Sequence, residues 1–140
     1  MQVIVRSRPQ MEAIAEGLGE ADAVLILHGL DEPRPAGTIL AQAGISQVCC
    51  FDDVETPSEG VPISEADARA IVHLVDQAWK SDGIERLYIA CEAGVSRSVA
   101  VGLWAAATYD GVASLPEQAV GGAFANRQVA GMLAHVGNGE

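Results

Sequence analysis

A cysteine stands at the head of a loop of small residues between two apolar segments. The stretch Leu-Tyr-Ile-Ala-Cys-Glu-Ala-Gly-Val-Ser-Arg-Ser covers residues 87–98, and its cysteine is Cys91. When such a loop joins a strand to a helix, its backbone N–H groups converge at the helix N-terminus and form a cradle for a tetrahedral dianion. Gly94 permits the φ values and the close approach that such a cradle needs. The predicted phosphate-binding residues are therefore Glu92, Ala93, Gly94, Val95, Ser96 and Arg97.

The thiol and the two residues that open the second apolar segment suit one reaction. Arg97 offers a planar pair of donors that matches two phosphoryl oxygens. The helix dipole, the loop amides and this guanidinium all favour the thiolate form, so Cys91 is the predicted nucleophile. Attack of its sulfur on phosphorus would give a cysteinyl-phosphate that water hydrolyses. The hydroxyl of Ser98 is placed to hydrogen-bond the sulfur and help it leave.

This reaction also needs a proton donor for the leaving oxygen, and a carboxyl group on a nearby loop fits that task. The longest irregular segment, residues 52–62, follows a predicted strand and carries four acids. Asp53 and Asp52 are the main candidates, because strand alternation sends neighbouring side chains to opposite sides and the register is not fixed by the sequence. Glu55 and Glu59 are weaker candidates on the same segment.

Apolar patterns and capping residues indicate alternating strands and helices. Predicted strands cover residues 3–5, 23–30, 45–51 and 86–90; predicted helices follow Ser7, cover 38–44, 64–80 and 98–109, and begin again near Ser114 and Pro116 and at Asn126. This alternation predicts one α/β domain over residues 1–140, with a mainly parallel central sheet of about four to five strands and helices on both faces. In such folds, ligands bind beyond the carboxyl ends of the strands, where Cys91 and the two aspartates fall.

The spacing Cys91-x-x-Gly94-x-x-Arg97-Ser98 resembles the signature of the cysteine-dependent protein tyrosine and dual-specificity phosphatases. The chain looks like a small prokaryotic member of that family. The resemblance implies a phosphomonoester hydrolase with a protein tyrosine phosphatase-like fold, a nucleophilic Cys91 and a phosphate-binding Arg97, and it implies no cofactor.

The resemblance extends beyond the loop to an upstream Phe51-x-Asp53 at a strand end, a long helix before the signature and a closing helix that begins Asn-Arg-Gln-Val. It implies an aspartic general acid from an upstream loop, and Asp53 is the residue in the matching place. Asp52 remains the alternative general acid.

One residue departs from the family pattern: Ala90 stands before the cysteine, where the family usually has His. This departure predicts a weaker thiolate, and an inward-turned Glu92 would weaken it further. Two alternatives therefore stay open. One is a weak or inactive phosphate-binding or interaction module, and the other is a rhodanese-like sulfurtransferase, which also uses a cysteine at the head of a loop.

Composition limits the partners. The net charge is −11 and the eight Lys and Arg residues are scattered, which argues against a duplex nucleic-acid partner. The expected partner is a phosphorylated substrate of unknown class. Three cysteines match neither a disulfide framework nor a zinc site, and no apolar segment reaches the ~20 residues of a membrane span, so we expect a cytoplasmic protein without a metal or a membrane partner.

Four further residues have competing interpretations. Cys49 and Cys50 could protect Cys91 by a reversible disulfide, but adjacent cysteines on a buried strand more often serve packing. His28 at a strand end is interpreted as structural rather than as a lining of the cleft. Asn126 could approach the phosphate site, but a helix cap is the favoured interpretation.

Overall fold

Five parallel strands form one sheet in the computed structural model, which describes residues 1–35, 37–109 and 111–138. The strands are β1 (Gln2–Ser7), β2 (Asp22–His28), β3 (Ile45–Cys50), β4 (Arg86–Cys91) and β5 (Ala113–Ser114). Their order across the sheet is β3-β2-β4-β1-β5, and every neighbouring pair is parallel. The predicted α/β class and the predicted parallel sheet are confirmed.

In the described part of the chain, five α-helices cover the two faces of the sheet. They are α1 (Arg8–Ile14), α2 (Gly37–Gln42), α3 (Glu65–Lys80), α4 (Arg97–Thr108) and α5 (Arg127–Asn138). Alternate residues of β2 separate the two cores: Leu25 and Leu27 pack with α3, α4 and α5, whereas Ile26 packs with α1 and α2. Burial on both faces explains why β2 reads as a continuous apolar run.

Two capping boxes set where helices begin. The Ser7 hydroxyl accepts a hydrogen bond from the Gln10 N–H at 3.2 Å, and the Gln10 side chain accepts one from the Ser7 N–H at 2.8 Å. Ser64 and Asp67 form the same motif at the start of α3. Because Ser7 pairs with Cys91 across β1 and β4, α1 begins directly beside the cysteine loop.

The helix predicted near Ser114 and Pro116 is wrong. Ser114 belongs to the short edge strand β5, and Pro116 precedes a 3-10 helix over Glu117–Gly122. The physical reason lies in the backbone, because Val120 and Gly121 take φ values of 49° and 64° that an α-helix does not allow. β2 also ends at His28, two residues before the predicted end at 30. Among the described residues, no helix has both the length and the apolar character needed to cross a bilayer.

Helix α4 lies unusually close to β1, and this close approach fixes the helix that follows the cysteine loop. A Cβ atom on Gly102 would lie 2.4 Å from Cγ2 of Val5, which is buried. We expect Gly102→Ala to destabilise the fold by about 1–3 kcal/mol through overpacking. Gly131→Ala is the matched control, because nothing lies within 4 Å of the corresponding Cβ in α5.

Urea unfolding of both variants checks this expectation. The control should be stabilised by about 0.5–1 kcal/mol, because Ala is the better helix former. Equal free energies of unfolding for the two variants would show that α4 does not press against β1.

Candidate active site

The loop between β4 and α4 presents a row of free backbone donors. Among the described residues, the N–H groups of residues 93–96 have no protein acceptor. Gly94 has a φ of 71°, and a Cβ there would lie 2.7 Å from the backbone nitrogen of Ser7, so both conformation and space require glycine. The Arg8 N–H donates to the Glu92 carbonyl at 3.3 Å and ties the loop to α1. This loop can hold an anion, as its sequence predicts.

The Cys91 thiol lies at the base of the loop with 2% of the residue exposed. Its Sγ is 3.0 Å from the Ser98 hydroxyl oxygen and 3.4 Å from the Ser98 backbone nitrogen, which donates to it. Ser98 is in the first turn of α4, so the sulfur is close to the positive end of the helix dipole. Both contacts would stabilise negative charge on sulfur.

Arg97 is held from two sides and is only 3% exposed. Its Nη1 donates to the Phe51 carbonyl at 2.9 Å, and its Nη2 lies 2.8 Å and 3.1 Å from the two carboxylate oxygens of Glu32. Its Nε is buried and has no hydrogen-bond partner among the described residues. A buried donor without an acceptor is costly, so this Nε is the atom that a bound anion would satisfy.

Glu32 is a residue of the site that sequence reasoning missed. One of its oxygens also accepts the Gly29 N–H at 2.5 Å, so the loop after β2 is folded around this carboxylate. Arg8 fixes the same loop, because its buried side chain donates from Nη1 to the Pro33 carbonyl at 2.6 Å. The available signal was an acid on a turn-rich segment at the carboxyl end of a strand.

Asp53 lies beside the phosphate-binding loop. Its Oδ1 accepts hydrogen bonds from the Ser96 hydroxyl at 2.6 Å and from the Asn126 side-chain amide at 2.9 Å. Its side chain is exposed, although the groups that hold it belong to the loop and to the start of α5. The structure thus brings Asp53 together with Ser96, and both belong to the set predicted from the sequence.

Asp52 has a different environment. Its carboxylate accepts hydrogen bonds from the Val61 N–H at 2.9 Å and from the Leu30 N–H at 3.0 Å. These two donors, the Val61 N–H first, hold the pKa of Asp52 below its usual value, and the charge of Arg97 adds to the effect. Asp52 therefore joins two loops as a carboxylate, which makes it a poor proton donor at neutral pH.

The two glutamates of the same segment bind elsewhere. Glu55 pairs with Arg127 at 3.3 Å, and Glu59 accepts a hydrogen bond from the Thr56 hydroxyl at 2.9 Å. Both line a cavity of about 430 Å³ beside the loop, together with Asp53 and Ser96.

Glu92 and Ala90, the two residues that the sequence associates with a weak thiolate, differ in burial. The Glu92 carboxylate turns outward and lies 3.9 Å from Nη1 of Arg8, with about half of the side chain exposed at 47%. Ala90 is fully buried on the opposite face of the sheet from the sulfur, in the core that contains Met11 and Ile26. His28 is buried, and its Nδ1 lies 2.9 Å from the Gly29 carbonyl, as expected of a structural histidine.

The chain has a protein tyrosine phosphatase-like α/β fold. The chain shares this fold with Tk-PTP, a protein tyrosine phosphatase whose crystal structure was solved in the active form. The TM-score is 0.61, the alignment covers 99% of this chain and 92% of that one, and the sequence identity is 17%. No protein-family model and no curated protein matches the sequence. At this identity, the likeness establishes the fold alone.

Cys49 and Cys91 are too far apart to pair. Cys49 is in register with Leu27, and β2 lies between β3 and β4. Because neighbouring strands lie about 4.8 Å apart, the two Cα atoms are separated by roughly 10 Å, beyond the ~7 Å limit for a disulfide. Cys49 is buried in the core, whereas Cys50 is exposed. Burial, with Asp67 and Cys50 adding to it, raises the pKa of Cys49 to about 12.

We therefore expect Cys49 to resist alkylation by iodoacetamide near neutral pH, because a thiol with so high a pKa is almost entirely protonated there. Cys50 is the internal control, since it is the next residue and is exposed. Peptide mass spectrometry after timed labelling should find Cys50 modified and Cys49 intact. Labelling of Cys49 as fast as Cys50 would contradict its burial.

Glu32 should support anion binding through Arg97. We expect Glu32→Ala to weaken the binding of inorganic phosphate about tenfold, because the guanidinium loses a charge-assisted contact that orients it. Glu32→Gln keeps an oxygen for Arg97, so its affinity for phosphate should lie between that of the unchanged protein and that of Glu32→Ala. Asp31→Asn removes a neighbouring acid as the control.

Isothermal titration with phosphate measures the effect in all three variants. Tighter binding by Glu32→Ala would show instead that the carboxylate competes with the anion for Arg97.

Proposed function

We propose that this protein is a phosphomonoester hydrolase that acts through a cysteinyl-phosphate on Cys91. One observation carries the proposal: one short loop carries the N–H groups of residues 93–96, and its two ends carry the thiol of Cys91 and the Nε of Arg97. Neither these N–H groups nor this Nε has a partner among the described residues. A tetrahedral dianion would satisfy these donors. A phosphoryl group held by them would lie next to the sulfur that attacks it.

In the first step, the Cys91 thiolate attacks phosphorus and the bond between phosphorus and the ester oxygen breaks. Arg97 and the loop amides neutralise charge on the non-bridging oxygens as the bond breaks. Asp53 gives its proton to the leaving oxygen. The lowered pKa of Asp52 and its two backbone hydrogen bonds support the choice of Asp53 over Asp52 for this role.

In the second step, a water molecule attacks phosphorus, the sulfur–phosphorus bond breaks, and Asp53 takes the proton of the water. The sulfur leaves as a thiolate, and the Ser98 hydroxyl at 3.0 Å stabilises it. No cofactor takes part in either step of this mechanism.

Protein tyrosine or dual-specificity phosphatase activity is the finer form of the proposal. The fold shared with Tk-PTP and the signature spacing of the loop support it. We propose a cytoplasmic enzyme that acts on a phosphorylated substrate rather than on duplex nucleic acid, because the net charge is −11.

A phosphate-binding module with little or no activity is the second candidate, and the apolar Ala90 at the base of the loop favours it. This candidate predicts phosphate binding without turnover. Sulfur transfer has no observation in its favour, and an assay with thiosulfate and cyanide tests it directly.

Hydrolysis of 4-nitrophenyl phosphate tests the proposal. We expect Cys91→Ser to lower kcat at least about a thousandfold, because the nucleophile is lost. Cys50→Ser is the matched control and should retain full activity, since Cys50 is exposed on β3 outside the loop.

The covalent step has its own readout. Acid quenching of Asp53→Asn during turnover should trap a phosphate on Cys91, detectable by mass spectrometry, because loss of the base slows the second step. Equal hydrolysis by wild type and Cys91→Ser would overturn the proposal, and phosphate binding without any turnover would favour the binding module.

A further inference from the structure

Asn126 is a buried polar residue whose side chain makes contacts at both ends. It is 2% exposed and precedes α5, where its Oδ1 accepts the Val129 N–H at 3.0 Å. Its Nδ2 donates to Asp53 Oδ1 at 2.9 Å and to the Val54 carbonyl at 3.2 Å. The neighbours fix the orientation of the amide, because a backbone N–H needs the oxygen and a carboxylate needs the nitrogen.

The same residue is joined to the phosphate-binding loop through its backbone. The Asn126 N–H donates to the Ser96 carbonyl at 3.2 Å, while the Ser96 hydroxyl donates to Asp53 Oδ1 at 2.6 Å. Asp53 Oδ1 therefore receives two donors that are fixed relative to each other. Among the described residues, the other oxygen, Oδ2, accepts no hydrogen bond.

We propose that Asn126 is a positioning residue for the reaction: its amide holds Asp53 against the phosphate-binding loop and leaves Oδ2 free for the leaving oxygen. This inference rests on the proposed function. Asp53 is exposed on an irregular segment, so its side chain would otherwise sample many rotamers. A displacement of about 1 Å from a productive geometry costs on the order of a hundredfold in rate.

Helix capping alone does not explain an asparagine here. A cap needs one oxygen acceptor, which Ser or Asp supplies as well as Asn does. The amide nitrogen at the opposite end is needed only for Asp53 and the Val54 carbonyl. Substitutions can therefore separate the two roles.

Asn126→Ser keeps a capping oxygen for α5 and loses the donor to Asp53. We expect kcat for phenyl phosphate, which has a basic leaving group, to fall at least about tenfold. The loss should be clearly smaller for a fluorinated coumarin phosphate, whose leaving group needs less protonation. The inhibition constant of inorganic phosphate should stay within about twofold of wild type, since the loop donors are retained.

Asn126→Asp is the second variant, because it also keeps the cap but brings a carboxylate against Asp53. It should show the same dependence on the leaving group, since an ionised carboxylate has no proton to donate to Asp53 Oδ1 in place of the amide. A thermal melt of each variant reports whether α5 is still capped. A purely structural role for Asn126 would give equal losses for both substrates, and that result would overturn the inference.

A double-mutant cycle with Asp53→Asn separates this inference from the proposed function. If Asn126 acts through Asp53, Asn126→Ser should cause no further loss in the Asp53→Asn background. Additive losses would overturn the positioning role while leaving the phosphatase intact. Full activity of Asp53→Asn would overturn Asp53 as the acid, and wild type without hydrolysis would overturn the proposed function; either result also removes the role of Asn126.

Discussion

The site depends on how the buried guanidinium of Arg97 is satisfied. A guanidinium that is 3% exposed needs acceptors around it, and the Phe51 carbonyl and the Glu32 carboxylate provide them for its two terminal nitrogens. These acceptors come from the end of β3 and from the loop after β2, so one side chain gathers three carboxyl-terminal segments of the sheet. Its Nε has no partner in the described part of the chain, and a bound anion would be a suitable acceptor for it.

The loops around Arg97 are fixed by hydrogen bonds between side chains and backbone groups. Asp52 accepts from the N–H groups of Leu30 and Val61 and so joins the segment after β2 to the segment before α3. Arg8 joins the Pro33 carbonyl to the start of α1. Loops held in this way keep Arg97 in place beside the N–H groups of residues 93–96. Donors fixed before a ligand binds do not need to rearrange when charge develops on it, which is the property that an anion-stabilising site requires.

The sequence pattern predicts contacts between residues that are close in the chain, but it does not predict contacts between residues that are far apart in the chain. Cys91 and Ser98 are seven residues apart, and their contact at 3.0 Å follows from a strand, a short loop and a helix in succession. The contact between Glu32 and Arg97 spans 65 residues, and no periodicity or spacing encodes it. Asn126 was expected to cap a helix, but its bond to Asp53 depends on how α5 packs. The two-residue strand β5 is too short for a period to show.

Ala90 leaves the stabilisation of a Cys91 thiolate to other groups of the site. Its side chain is fully buried among Met11, Ile26 and Ile39, in an apolar core where an imidazole would need a hydrogen-bond partner. The small side chain therefore favours packing of α1 and α2 against the sheet and provides no charge near the sulfur. A Cys91 thiolate therefore has to be stabilised by groups on the opposite side of β4. There, the hydroxyl and N–H of Ser98 and the dipole of α4 face the sulfur directly.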